Sequence, residues 1–418
     1  MFKFLHAADI HLDSPLRGLE RYEGAPVEHI RQATRRAFEN LVRLALDEQV
    51  QFVLIAGDLY DGSWKDYNTG LYFIGQMRRL AEAGIPVFLI AGNHDAANRM
   101  TKTLRLPDHV KLLSAEEPET CVLEDIGVAI HGQSFATQAV LEDLSARYPA
   151  GWRGYFNIGL LHTSVTGREG HDSYAPCTID SLRRKHYDYW ALGHIHQREV
   201  LHPEAAIVFP GNIQGRHIRE TGAKGCMLVR VEQGRQPRWE FRGLDVVRWE
   251  RCVCDVRQAD DADAVAETVA RALRRLRQEN DGRWLAVRVE VTGPCPAHDA
   301  LMARSRHWSH EIRAQALDVG GAALWIEKVL WHTTPPRAAL PNDGPIGELL
   351  ALLHELRADD TQLQRLRGEL ADLEAKLPMA LTQGPDALRF DDPHWLRGLL
   401  DQVEPLLLHR LLCGEADQ

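Results

Sequence analysis

The sequence predicts an α/β sandwich, mixed sheets flanked by helices, followed by a small α/β unit and a helical tail. Three observations predict it. From residue 1 to about 245, short apolar runs alternate with segments of helical periodicity. Five of those runs each end on a side chain that can bind a metal. An α/β sheet gathers distant residues into one pocket in this way, at the carboxyl ends of its strands. Beyond residue 248 the pattern becomes strand, helix, strand, and from about 345 it is helix alone. With 418 residues and 44% hydrophobic content, the chain can build one large domain and one or two smaller units.

Taken in order, FKFLHAA leads into Asp9-x-His11, and EHIRQATRRAFENLVRLALDEQV follows with helical spacing. FVLIA ends on Gly57-Asp58, TGLYFIGQMRRLAEAG reads as a second helix, and VFLIA ends on Gly92-Asn93-His94-Asp95. NIGLL ends on His162, and YDYWAL ends on Gly193-His194-x-His196. In the next region RWERCVCDVR reads as a strand, DADAVAETVARALRRLRQ as a helix and WLAVRVEVTG as a strand. PPRAALPNDGP has the composition of a linker. Leu363, Leu366, Leu370, Leu373 and Leu377 then repeat with 3-4-3-4 spacing before Pro378. That two-heptad seam is either a helix packed on its own domain or a docking helix for a partner.

The strand-end donors are carboxylate, imidazole and amide, with no cysteine. Such a set suits Mn²⁺, Fe²⁺ or catalytic Zn²⁺ better than a structural thiolate site. It points to a two-metal hydrolase acting on a phosphoester. Each element alone is ordinary: D-x-H can be a surface turn, G-D says little, and a single strand-end histidine is usually structural. Their conjunction in one order carries the reading. His6 and His131 are expected to pack between strands, and His171, His186 and His217 lack the same support.

The net charge of −10 argues against binding nucleic acid through a broad basic surface. A pair of divalent cations would supply the positive field locally. Arg35-Arg36 and Arg183-Arg184-Lys185 read as solvated faces. Arg216, His217 and Arg219 follow the Pro210-Gly211-Asn212 turn and are the candidates for substrate phosphate. The seven cysteines, including Cys252-x-Cys254, read as reduced thiols. No run approaches membrane-span length, and the first strand begins almost at Met1, so a cytoplasmic protein without a signal peptide is expected.

The series D-x-H, G-D, G-N-H-D, H, G-H-x-H resembles that of the calcineurin-like metallophosphoesterases. Within them, FLHAADIHLDSPLRGL, GLLHTSVTGREGHDSYAPC, YDYWALGHIHQREV and FPGNIQGRHIRETGAKGC are similar to the SbcD-type DNA repair exonucleases, in their YhaO-like branch. The likeness runs from Met1 to DDPHWLRGLL. It implies a four-layer metallophosphoesterase sandwich over 1–245, an α/β capping domain over 248–335 and a helical segment over 345–418 for partner docking. It further implies two divalent ions, Mn²⁺ first, with Fe²⁺, Zn²⁺ or Mg²⁺ as alternatives. Asp9, His11 and His196 would hold one, Asn93, His162 and His194 the other, and Asp58 would bridge them. His94 would be the general acid, with Asp95 fixing its tautomer.

The implied activity is that of a DNA exonuclease with some endonuclease action on single strands. The implied partners are an SMC-like ATPase and a second copy of the chain, docked through EHIRQATRRAFENL. Two departures matter. Gly57-Asp58-Leu59-Tyr60-Asp61-Gly62-Ser63 lacks the arginine by which phosphoprotein phosphatases grip phosphate, and Asp61 stands where SbcD-type nucleases often carry histidine. A cyclic-nucleotide-type phosphodiesterase and a non-catalytic scaffold subunit are the competing readings.

Overall fold

Twelve strands form two six-stranded sheets in a computed structural model describing residues 1–14, 26–61, 67–97, 105–165, 174–232, 236–336, 344–374, 376–377 and 388–413. They are β1 (Phe2–Ala7), β2 (Phe52–Ala56), β3 (Val87–Ile90), β4 (Val110–Leu112), β5 (Glu119–Leu123) and β6 (Val128–Gly132). The rest are β7 (Phe156–His162), β8 (Tyr189–Gly193), β9 (Glu199–His202), β10 (Ile207–Phe209), β11 (Gly225–Val231) and β12 (Arg238–Gly243). The first sheet runs β12-β11-β1-β2-β3-β4, parallel from β1 to β4 and antiparallel at β11 and β12. The second runs β5-β6-β7-β8-β10-β9, parallel in the middle with antiparallel edges.

Every residue of FVLIA, VFLI and YWALG is buried. These are central strands covered on both faces, which is why they read as unbroken apolar runs rather than alternating ones. Phe4, Phe52, Ile130, Ile158 and Tyr189 belong to the core between the sheets, and the Phe4 and Phe52 rings stack 4.8 Å apart. On the outer side of the first sheet, Leu5, Val53 and Ile55 meet Phe38 and Leu41 of the helix Ala33–Asp47 and Phe73 and Met77 of the helix Tyr67–Glu82. On the outer side of the second, Trp190 and Leu192 meet Tyr148 and Leu182. Helix, sheet, sheet and helix make four layers. His6 is buried between Tyr189 and Leu192, and His131 between Thr120 and Asn157, as packing residues.

The contact pattern divides the chain into two units: Met1–Val253 with Val269–Glu290 and His310–Leu330, and Cys254–Thr268 with Val291–Ser309 and Trp331–Gln418. A third sheet has the order β13 (Val247–Asp255), β14 (Trp284–Pro294), β15 (Leu324–Thr334). Within the first unit, Ile30 and Ala33 pack on Val247, Trp249, Ala286 and Trp325. The apolar positions of EHIRQATRRAFENL are therefore used inside the chain: Ile30, Ala33, Ala37 and Phe38 are buried, and Glu28, Gln32, Arg36 and Glu39 face outward. Arg35 is held by Asp13 rather than solvated.

Among the described residues, the second unit ends in three helices, Gly344–Ala358, Asp360–Glu374 and Pro393–Cys413. Leu353, Leu363, Leu396 and Leu400 form their core, with Leu366 and Leu370 packed against it. Most of the leucine seam thus closes this small bundle, while Leu373 is exposed. Gly62, Ser63, His171, Pro378 and most of the expected linker lie outside the described residues. Among the described residues, no helix is long and apolar enough to cross a membrane.

Candidate metal centre

All seven expected ligands meet in the first unit, at the carboxyl ends of β1, β2, β3, β7 and β8. The chain turns sharply there. Asp9, His11, Asp58 and His194 have positive φ values of 51°, 46°, 52° and 105°, a region that costs a non-glycine residue on the order of 1–2 kcal/mol. Two glycines permit the crowding. A Cβ on Gly57, itself at φ +90°, would strike Nδ1 of His162, and one on Gly193 would strike the Ala56 carbonyl oxygen.

Three ligand groups share members: Asp9, His11 and His196; His11, Asp58 and His94; and Asp9, Asp58 and His162, each with donor atoms within 4.8 Å of one another. Hydrogen-bond chemistry shows where cations fit. Nδ1 of His162 lies 2.9 Å from the Ala56 carbonyl, which can only accept, so this nitrogen carries the proton. In the neutral ring Nε2 is then a bare lone pair, facing the Asn93 Oδ1 acceptor at 3.0 Å. The same logic holds on the other side. Nδ1 of His196 donates to Oε1 of Glu220 at 2.7 Å, and its Nε2 faces Nε2 of His11 at 3.1 Å.

Burial holds the His11 imidazole well below its ordinary range, so that ring is neutral, and its Nδ1 is buried without a hydrogen-bond partner. Asp58 reaches both sides, with Oδ2 3.8 Å from Nε2 of His11 and 3.6 Å from Nε2 of His162. The pairs His162/Asn93 and His11/His196, each approached by Asp58, mark two gaps in a buried pocket where a cation would fit. Burial also pushes the Asp9 carboxyl up, a cost that a bound cation would offset. The hard oxygen and nitrogen donors fit a pair of divalent ions. The His194 ring lies 5.2 Å from that of His162, and its backbone N–H donates to Asp9 at 3.0 Å.

His94 stands apart, although it too could join a ligand group. Its Nδ1 is 2.9 Å from Oδ1 of Asp61, and its ring is about one-third exposed at 37%. Asp95 does not orient it, contrary to expectation. Asp95 accepts from the backbone N–H groups of Leu59 and Gly92 at Oδ2, 3.0 and 3.1 Å, and of Tyr60 at Oδ1, 2.8 Å. It clamps the loops after β2 and β3 together, and burial and the adjacent Asp58 push its carboxyl up to about 7. Buried backbone donors need a partner, and Asp95 is the buried carboxylate between them.

Asp61 takes the role instead. Burial opposes its charge, but hydrogen bonds from His94 and Ser14, with the Arg216 charge, bring its pKa down to about 2. That carboxylate in turn raises the His94 pKa. Of the phosphate candidates, only Arg216 enters the site, 3.6 Å from Asp61 and 3.1 Å from Glu220. His217 is exposed at the rim, 3.7 Å from Glu220, and Arg219 is exposed beyond it. Glu220 and Lys224 were not anticipated. Glu220 is held below the carboxylate range by His196 and Arg216 despite its burial, and Lys224 donates to the His196 carbonyl at 2.9 Å. The Arg216/Glu220 spacing of four residues was the one available signal.

Comparison with known proteins gives the family. The calcineurin-like phosphoesterase model matches residues 2–198, and that of the metallophosphoesterase YhaO middle domain matches 249–334. The uncharacterized metallophosphoesterase YhaO of Bacillus subtilis (strain 168) is 38% identical over 297 residues, covering 70% of this chain and 72% of that protein. The chain belongs to the calcineurin-like metallophosphoesterases. A DNA double-strand break repair protein Mre11 from Sulfurisphaera tokodaii is 27% identical over 294 residues, covering 67% of this chain and 70% of its own length. Among solved structures, a dimetal phosphatase from Danio rerio matches at 12% identity with a TM-score of 0.38, covering 58% of this chain and 96% of that one. This metallophosphoesterase thus carries the family's hydrolase fold together with a YhaO-type middle segment.

Proposed function

We propose that the chain is a two-metal DNA phosphodiesterase, an exonuclease with some endonuclease action on single strands. One observation carries the hydrolytic part: two buried gaps lined by imidazole, amide and carboxylate donors and spanned by Asp58, with His94 held at the mouth by Asp61. Asp9, His11 and His196 would hold one ion, Asn93, His162 and His194 the other, with Asp58 shared. Divalent ions, Mn²⁺ first in this reading, would supply the positive charge that binds a phosphodiester and makes water acidic enough to attack it.

The protein's own groups handle the leaving oxygen. Nδ1 of His94 donates to Asp61, so Nε2 is directed away from that bond, able to give its proton to an alkoxide. General-acid help of this kind is worth about 10²–10⁴-fold. Arg216 adds positive charge beside Asp61, and His217 and Arg219 at the rim suit a substrate longer than one phosphate.

The likeness to Mre11, named for DNA double-strand break repair, supports DNA as the substrate. An SMC-like ATPase docked on the C-terminal helices completes the reading, and Leu352, Leu373 and Leu407 are exposed there for a coiled coil to cover. A homodimer would have to use the charged face of the Ala33–Asp47 helix. The test is incubation with Mn²⁺ or EDTA of end-labelled single- and double-stranded DNA, cyclic AMP and bis-p-nitrophenyl phosphate, with Asp58→Ala and His94→Ala proteins alongside. Manganese-dependent DNA degradation, lost in both variants, supports the reading. Hydrolysis of cyclic AMP with DNA untouched replaces it with a small-molecule phosphodiesterase.

A further inference from the structure

The least expected feature of the centre is the carboxylate behind it. Glu220 is buried, and each of its oxygens is engaged. Oε1 accepts from Nδ1 of His196 at 2.7 Å and Nη2 of Arg216 at 3.1 Å. Oε2 accepts from the backbone N–H of Arg216 at 2.8 Å and Nδ2 of Asn212 at 3.0 Å. Arg216 continues the chain of contacts, with Nη1 3.6 Å from Oδ2 of Asp61, and Asp61 holds His94 through its other oxygen at 2.9 Å. One ion-pair relay, His196–Glu220–Arg216–Asp61–His94, therefore joins a ligand on one side to the acid on the other.

We propose that Glu220 is a positioning residue, which locks the His196 ring and, through Arg216, couples that ligand to the placement of His94. The inference rests on the two-metal reading above and deepens it. A carboxylate on Nδ1 fixes the tautomer, turns Nε2 toward the gap and makes it a better donor, and such outer partners matter about as much as the ligands themselves. Lys224 anchors the same residue by its carbonyl, so His196 is held at ring and backbone. Arg216, engaged by two carboxylates, acts here as a strut between them. Loss of Glu220 should reach the ion next to His196 first and the acid second, through a loosened Asp61.

The test uses the full chain and Mn²⁺ binding by isothermal titration, with circular dichroism as the control for folding. In Glu220→Gln, which keeps the shape and removes the charge, one of the two ions should bind about 10–100-fold more weakly while the other changes by less than about threefold. Arg216→Gln should leave both affinities within about threefold, yet slow dialkyl phosphodiesters more than p-nitrophenyl ones. Unchanged affinity in Glu220→Gln, or equal weakening of both ions, overturns the positioning role. A wild-type chain that binds no Mn²⁺ overturns the two-metal reading beneath it instead.

Discussion

Replacing Asp61 by asparagine should separate the acid from the metals. The carboxylate lies 2.9 Å from Nδ1 of His94 and 3.8 Å from Nδ1 of His11, an expected ligand. The amide would keep the volume and lose the charge that raises the imidazole's pKa and aims the ring. A hydrogen bond to a charged group contributes about 1.5–3 kcal/mol. At about 1.4 kcal/mol per decade that is about a 10–150-fold loss in rate, provided the bond matters in the transition state.

The loss should depend on the leaving group. An alkoxide needs the proton, so Asp61→Asn should slow DNA or a dialkyl diester by about 10–100-fold. A p-nitrophenolate leaves unaided, so bis-p-nitrophenyl phosphate should slow by less than about threefold. The assay is paired kcat measurement on the two substrates at saturating Mn²⁺, with metal content measured on the same samples. Equal loss on both substrates, or loss of metal, would refute the dyad.

Three further outcomes follow from the packing. Burial lowers the His6 pKa from 6.5 to about 3, so below pH 6.5 the unfolded chain binds a proton that the folded chain does not. Stability should therefore fall as pH drops through that window, by up to about 1.4 kcal/mol per pH unit from this residue. Urea unfolding at several pH values should show a shallower slope in His6→Asn, and identical slopes would remove His6 as the source. Gly193→Ala drives a methyl group into the Ala56 carbonyl and toward His162. It should destabilise by at least about 1–3 kcal/mol in thermal melts and lower metal content. Leu363→Ala opens the fully buried centre of the C-terminal helices and should cost about 2–5 kcal/mol in limited proteolysis of that segment, with metal content unchanged.

What could be read in the sequence was whatever depends on strand order. Asp9, Asp58, Asn93, His162 and His194 each follow a wholly or mostly buried run, and parallel topology alone brings such ends together. The two central helices of the first unit were also legible, because Ala33–Asp47 has its buried residues at helical spacing. Partnership between side chains was not. Asp95 is adjacent to His94 in sequence, yet successive residues of a helix point apart, so Asp61, 33 positions away, is the one that reaches the ring. Beyond the Arg216/Glu220 spacing, Glu220 and Lys224 gave no signal, because their partners, His196 and its carbonyl, lie 24 and 28 residues off in the chain. The leucine seam was visible, but its partners, Leu353, Leu396 and Leu400, decide that it closes a bundle.

The measurement that bears most directly on the centre is the number of Mn²⁺ ions per chain, by titration of the metal-free protein, in wild type and Asp58→Ala. Because Asp58 faces both gaps, wild type should bind two ions and the variant should lose affinity for both together. A single ion in the wild type, or an Asp58→Ala protein that still binds two as tightly, would contradict a bridged two-metal site.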